Sequence, residues 1–215
     1  MISVKPGVKR NSAIFLVLAG GLMWWPVASM LLGSPPGFLR NLGFVSGPQG
    51  TVLAWCLGLV VAAIYSTYAV RNIPLVREHW RAVSAFKVLG ILTAVSAAVV
   101  EEAFFRRVFM DEILGAEWPA VVQVVASGLI FGLAHGIWGI MTGRISVGVG
   151  TMVATGTLGT ALGIVYVVGD HSLAPVIVSH FIVTATIQPG ITFAAFTGQM
   201  RKQPGLRTGA IKHDA

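Results

Sequence analysis

The sequence predicts an all-α fold: a polytopic membrane bundle of about six transmembrane helices. Three observations predict it. Hydrophobic residues make up 55% of the 215 positions and charged residues only 11%, with mean hydropathy +0.79; a soluble domain carries about 25% charged residues. The apolar residues fall into six runs, each close to the ~20 residues a helix needs to cross a bilayer. The basic residues gather mostly between those runs.

Composition also excludes several classes. No stretch is long enough for a separate soluble domain. The net charge of +7 is explained by topology rather than by nucleic acid, because the basic residues punctuate apolar runs. A single cysteine, Cys56, excludes an intramolecular disulfide and any cysteine-based zinc cluster. The apolar stretch Ala13–Leu32 is too long for a secretory h-region, and Trp24-Trp25-Pro26 is not a small-residue cleavage site, so it reads as a retained helix.

The first segment covers about Ser12–Leu32, preceded by Lys5, Lys9 and Arg10. Gly33–Gly50, rich in Gly and Pro, reads as a loop. The second segment is about Thr51–Val70. Arg71, Arg77, Arg81 and Lys87 follow in a polar, helical connector that includes His79. The third segment, about Val88–Met110, is uncharged until Glu101. Asp111, Glu112 and Glu117 form an acidic loop, and Pro119 suits a first helical turn. The fourth segment is about Ala120–Met141, the fifth Ile145–Val168 and the sixth Ser172–Ala195, with turns at Gly143-Arg144 and Gly169-Asp170-His171. The fifth carries Gly159-x-x-x-Gly163, a small face that lets helices approach closely. Most tryptophans, Trp24 and Trp138 among them, sit near predicted segment ends, as interface anchors do. The tail Gln199–Ala215 is polar, basic and expected to be disordered. With the N-terminus inside, twelve of the fifteen Lys and Arg fall on the inner side, and Asp111, Glu112, Glu117 and Asp170 on the outer. The bias implies both termini in the cytoplasm, at the cell membrane.

The exceptional polar groups lie inside the apolar runs. An ionised carboxylate in hydrocarbon costs on the order of 3 kcal/mol or more, so Glu101-Glu102 marks a functional site. His135 ends a run in the fourth segment and His180 sits deep in the sixth, with Thr184 one turn later on the same face. The burial costs fall only if these groups meet in one polar cavity. Burial strengthens a carboxylate as a general base, so Glu101 with a histidine can deprotonate water. Arg106, four residues after Glu102, can pair with it on one helical face. A second histidine and a hydroxyl can stabilise an oxyanion. The set suits peptide-bond hydrolysis. It also suits zinc, since His and carboxylate are zinc ligands.

Glu101-Glu102-x-x-x-Arg106, Phe131-x-x-x-His135 and the later His180 resemble the three motifs of the CPBP family of intramembrane proteases. That family includes the CAAX-processing Ras-converting enzyme and bacterial relatives linked to bacteriocin immunity or sorting-tail processing. The resemblance spans about Val88–Ala195 and implies that the last four helices form the catalytic core. It divides the chain into residues 1–87, a protease core at 88–195 and a tail at 196–215. It implies Glu101 as the water-activating base, Glu102 and Arg106 as its support, His135 as the group that orients water or shuttles a proton, and His180 as the oxyanion stabiliser. The family often has Asn where this sequence has Thr184; a hydroxyl offers one donor where an amide offers two. The implied substrate is a membrane protein or lipid-anchored peptide, met within the bilayer. A glutamate-type mechanism without a cofactor is favoured, because adjacent glutamates on a helix point about 100° apart and seldom chelate one ion. Zinc held by Glu101, His135 and His180 is the alternative. A non-catalytic scaffold or immunity protein keeping the fold is the alternative function, and a proton-relay transporter a third. Straight, upright helices place Glu101, His135 and His180 at different depths.

Overall fold

The structure is a computed structural model and describes residues 4–45, 49–115 and 117–200. All regular elements among these residues are helical. In chain order they are α1 (Pro6–Gly33), α2 (Pro35–Asn41), α3 (Val52–Asn72), α4 (Pro74–His79), α5 (Ala85–Glu102) with a π-helical continuation (Ala103–Leu114), α6 (Ala120–His135), α7 (Ile137–Thr142), α8 (Ile145–Val168), α9 (Leu173–Ile187) and α10 (Gly190–Thr197). Five helical stretches among the described residues are long and apolar enough to cross a membrane; the pair α9 and α10, bent by 59°, adds a sixth if it is a single broken span. The chain is a multi-pass membrane protein, as the apolar runs predict.

Local signals fix the helix starts. The Thr51 hydroxyl accepts from the Ala54 N–H at 3.1 Å, and Ser84 caps α5 at Lys87 N. Proline opens α1, α2 and α4, where its missing N–H costs nothing. Ser34 caps α2, so the predicted loop at Gly33–Gly50 contains a short helix. The connector is helical at α4 as expected, but His79 is half-buried there. Its Nδ1 donates to the Leu75 carbonyl at 2.9 Å, and its ring meets Phe193 edge-on at 5.1 Å.

The helices close into a ring. α5 packs against α1 and α9, α9 against α3, α3 against α8, α8 against α6, and α6 against the π-helical segment. The main apolar core runs through this ring, with Val99, Leu162, Tyr166, Val176 and Val183 among its buried members. The α6–α8 seam is close: a Cβ on Gly132 would stand 2.6 Å from the Met152 carbonyl oxygen. Gly159 faces the Phe131 side chain, at 3.0 Å from where its own Cβ would be.

Three segment boundaries differ from expectation. The third span runs from Ala85 to Leu114, so Lys87 lies in its first turn and Asp111 and Glu112 in its last. Lys87 is half-buried. Its ammonium donates to the Gln188, Ala185 and Thr186 carbonyls, which the end of α9 leaves without helical partners. The sixth segment bends where α9 ends at Ile187, just before Pro189, which cannot continue a helical ladder. Trp24 ties two helices together: its Nε1 donates to the Leu92 carbonyl at 3.1 Å. The Trp138 ring packs against Phe15 at a tilt of 54°, centroids 4.6 Å apart. The predicted disordered tail beyond residue 200 lies outside the described residues.

Candidate active site

Glu101 and Glu102 are the last two residues of α5. Their side chains leave the helix about 100° apart and meet different surroundings. Glu102 is fully buried and fully engaged. Its Oε2 accepts from Arg106 Nε at 2.7 Å and its Oε1 from His180 Nδ1 at 2.7 Å. Arg106, four residues on, is also fully buried, and its Nη1 donates to Ser127 Oγ at 2.6 Å. Ser127 in turn donates to the Phe105 carbonyl at 3.1 Å. Charge-assisted bonds of this kind are short and about twice as strong as neutral ones.

Glu101 stands apart from that network. Its Oε2 is buried and makes no hydrogen bond with the described residues. Two ring nitrogens face it: His135 Nε2 at 3.8 Å and His180 Nε2 at 3.9 Å. Both rings are held from behind. His135 Nδ1 must carry a proton, because it bonds the Phe131 carbonyl at 2.8 Å, which can only accept. That leaves Nε2 as the nitrogen turned toward Glu101. His180 is likewise fixed through Nδ1 by Glu102. Separations of 3.8 and 3.9 Å are too long for a direct bond and suit a bridging water. Phe131 walls the site, its ring 4.6 Å from that of His135 and 5.8 Å from that of His180.

Measured along their own helices, Glu101, His135 and His180 lie at or within one turn of the middle. α9 alone covers Leu173–Ile187, and His180 is its middle residue. Glu101 lies within two residues of the middle of Ala85–Leu114. In the span Ala120–Thr142 the middle residue is Phe131, and His135 comes one turn later. Five of the six residues singled out in the sequence therefore converge. Thr184 sits one turn beyond His180, half-buried, and its hydroxyl makes no hydrogen bond with the described residues.

The donor set of one carboxylate and two imidazoles is one that zinc accepts. Ligands at 2.0–2.1 Å from a tetrahedral ion would stand roughly 3.3 Å apart. The contacts on Glu101 are longer, and no group of three His, Cys, Asp or Glu among the described residues is arranged to hold a metal ion. As it stands, the arrangement does not fit zinc.

Two features escape the sequence reading. Ser127 joins the buried network; its signal is a spacing of four to Phe131 and eight to His135, one face of α6. Asp111 and His171, read as part of an acidic loop and of a turn, pair at the far end, with His171 exposed. Asp111 accepts from Tyr166 at 2.6 Å and pairs with His171 Nδ1 at 2.7 Å. Arg107 nearby donates to the Asn41 carbonyl at 3.0 Å.

A family model described as type II CAAX prenyl endopeptidase Rce1-like matches residues 83–186. No curated protein and no solved structure matches the chain. The matched stretch starts one residue before the Ser84 cap of α5 and ends within α9, so it contains the whole carboxylate, guanidinium and imidazole cluster. Such a match supports an intramembrane endopeptidase activity of the CAAX type in general terms. Over residues 83–186, this membrane protein is similar to the Rce1-like family.

Proposed function

We propose that the chain hydrolyses a peptide bond of a membrane protein or lipid-anchored peptide, near the substrate's C-terminus, through water activated by Glu101. The observation that carries this reading is the free, buried Glu101 Oε2 facing two histidine nitrogens whose rings are fixed from behind. In the proposed step, a water held between Glu101 and His135 attacks the scissile carbonyl carbon and gives its proton to Glu101. The carbonyl π electrons move onto oxygen, and this oxyanion takes a hydrogen bond from the His180 Nε2–H, with the Thr184 hydroxyl one turn away. As the tetrahedral intermediate collapses, the C–N bond breaks and Glu101 passes the proton to the leaving nitrogen.

Glu102 and Arg106 serve as the frame. With His180 doubly protonated, two carboxylates face one guanidinium and one imidazolium, so the buried set carries no net charge. No cofactor takes part in this glutamate-type scheme. It is supported by the spacing of the donors around Glu101 and by the engagement of Glu102 with Arg106 and His180. The bias of the basic residues supports placement in the cell membrane with both termini cytoplasmic.

Termini-resolved proteomics of membranes from wild-type, deletion and Glu101→Gln strains of the host tests the reading. A membrane protein that keeps an uncleaved tail in both the deletion and the Gln strain is the expected result. A deletion phenotype that Glu101→Gln rescues, with no terminus changed, would make the chain a scaffold instead.

A further inference from the structure

We propose that Ser127 is a positioning residue of this site, holding Arg106 where it keeps Glu102 fixed against His180. The inference rests on the endopeptidase reading above. Arg106 is fully buried, and its Nη2 has no partner among the described residues. Among the described residues its guanidinium is hydrogen-bonded at two points, Nε on Glu102 and Nη1 on Ser127, with the Phe131 ring 6.0 Å from its carbon. With one of these anchors gone, the plane of the fork can turn about the other.

Ser127 is built for this use. Its hydroxyl has one proton, which goes to the Phe105 carbonyl, so the lone pairs face Arg106. Phe105 precedes Arg106 directly, so a single hydroxyl grips both the main chain and the side chain of the π-helical segment at one level. Ser127, Phe131 and His135 repeat every four residues along α6 and share one face. That face sets Ser127 against Arg106, Phe131 against both imidazoles and His135 against Glu101. Ser127 thereby couples the register of α6 to the carboxylate pair at the end of α5.

The test uses the full chain in proteoliposomes with an internally quenched farnesylated CAAX peptide. Ser127→Ala is expected to lower kcat by roughly tenfold to a hundredfold, the scale of one lost hydrogen bond to a charged group, with KM within about twofold. Ser127→Cys, which keeps the volume and a weak donor, is expected to fall between. In an Arg106→Lys background, which already lacks the fork, Ser127→Ala is expected to add less than about twofold. Wild-type kcat in Ser127→Ala, an effect confined to KM, or the same fold loss in both backgrounds would each overturn the proposal. A second readout needs no substrate. The ring ¹⁵N resonances of His180 in detergent micelles are expected to move in Ser127→Ala and in Arg106→Lys, and no further in the double variant. Unmoved resonances in Ser127→Ala overturn the positioning role. Moved resonances in a protein that cleaves no peptide leave that role standing and remove the endopeptidase reading.

Discussion

Glu102→Gln and Glu101→Gln are the same chemical change one residue apart, yet the structure assigns them opposite consequences. Glu102 accepts two bonds of 2.7 Å, from Arg106 and His180, and all three groups are buried. A glutamine there keeps one acceptor oxygen and turns an N–H₂ toward a second donor. Breaking a buried ion pair by removing one partner costs about 3–5 kcal/mol, because the remaining charge stays buried. For a chain of this size, about 1 kcal/mol corresponds to roughly 2–4 °C in Tm, so Glu102→Gln should melt roughly 6–20 °C below wild type. Glu101 makes no hydrogen bond through Oε2, so Glu101→Gln should melt within about 2 °C of wild type while losing activity. Intrinsic tryptophan fluorescence in detergent, followed through thermal unfolding, reads both. Equal melting of the two variants, or a larger drop for Glu101→Gln, would refute the assignment of Glu102 as frame and Glu101 as the free base.

Other consequences can be checked separately. Gly159→Val puts side-chain atoms where Phe131 packs, so peptide cleavage should fall at least about tenfold while membrane insertion is retained. Lys87→Met removes the ammonium from the α9 carbonyls; hydrogen exchange should rise around Ala185–Gln188 and Tm should drop, in keeping with a loss of about 1–3 kcal/mol. If Glu101 activates water without a cofactor, 1,10-phenanthroline should leave the purified protein's cleavage rate unchanged; inhibition reversed by added zinc would favour the metal alternative.

Much of the site was legible because charges in apolar sequence have few explanations. Glu101, Glu102, Arg106, His135 and His180 stand out in runs that otherwise carry only Arg107, and the cost of burying them predicts that they meet. Ser127 was not legible, because a serine in an apolar helix commonly bonds its own preceding turn; its partner lies on a different helix. Lys87 was read as part of a polar connector because a flexible four-carbon stem gives no hint of a target about a hundred positions away. The bend after Ile187 was readable in Pro189-Gly190, a turn signal that the surrounding hydropathy masks. The helix at Pro35–Asn41 had a readable signature too, a serine cap followed by two prolines. The π-helical winding after Glu102 has no sequence signature, and it set the end of the third span four residues beyond Met110.

The measurement to make is cleavage by the purified protein itself. Wild type and Glu101→Gln, each reconstituted in proteoliposomes, would be given a farnesylated CAAX peptide in H₂¹⁸O and the products weighed by mass spectrometry. Wild type should release a C-terminal peptide and leave one ¹⁸O in the newly formed carboxylate, while Glu101→Gln leaves the peptide intact. Cleavage by Glu101→Gln at the wild-type rate, with the same ¹⁸O label, would contradict the role given to Glu101.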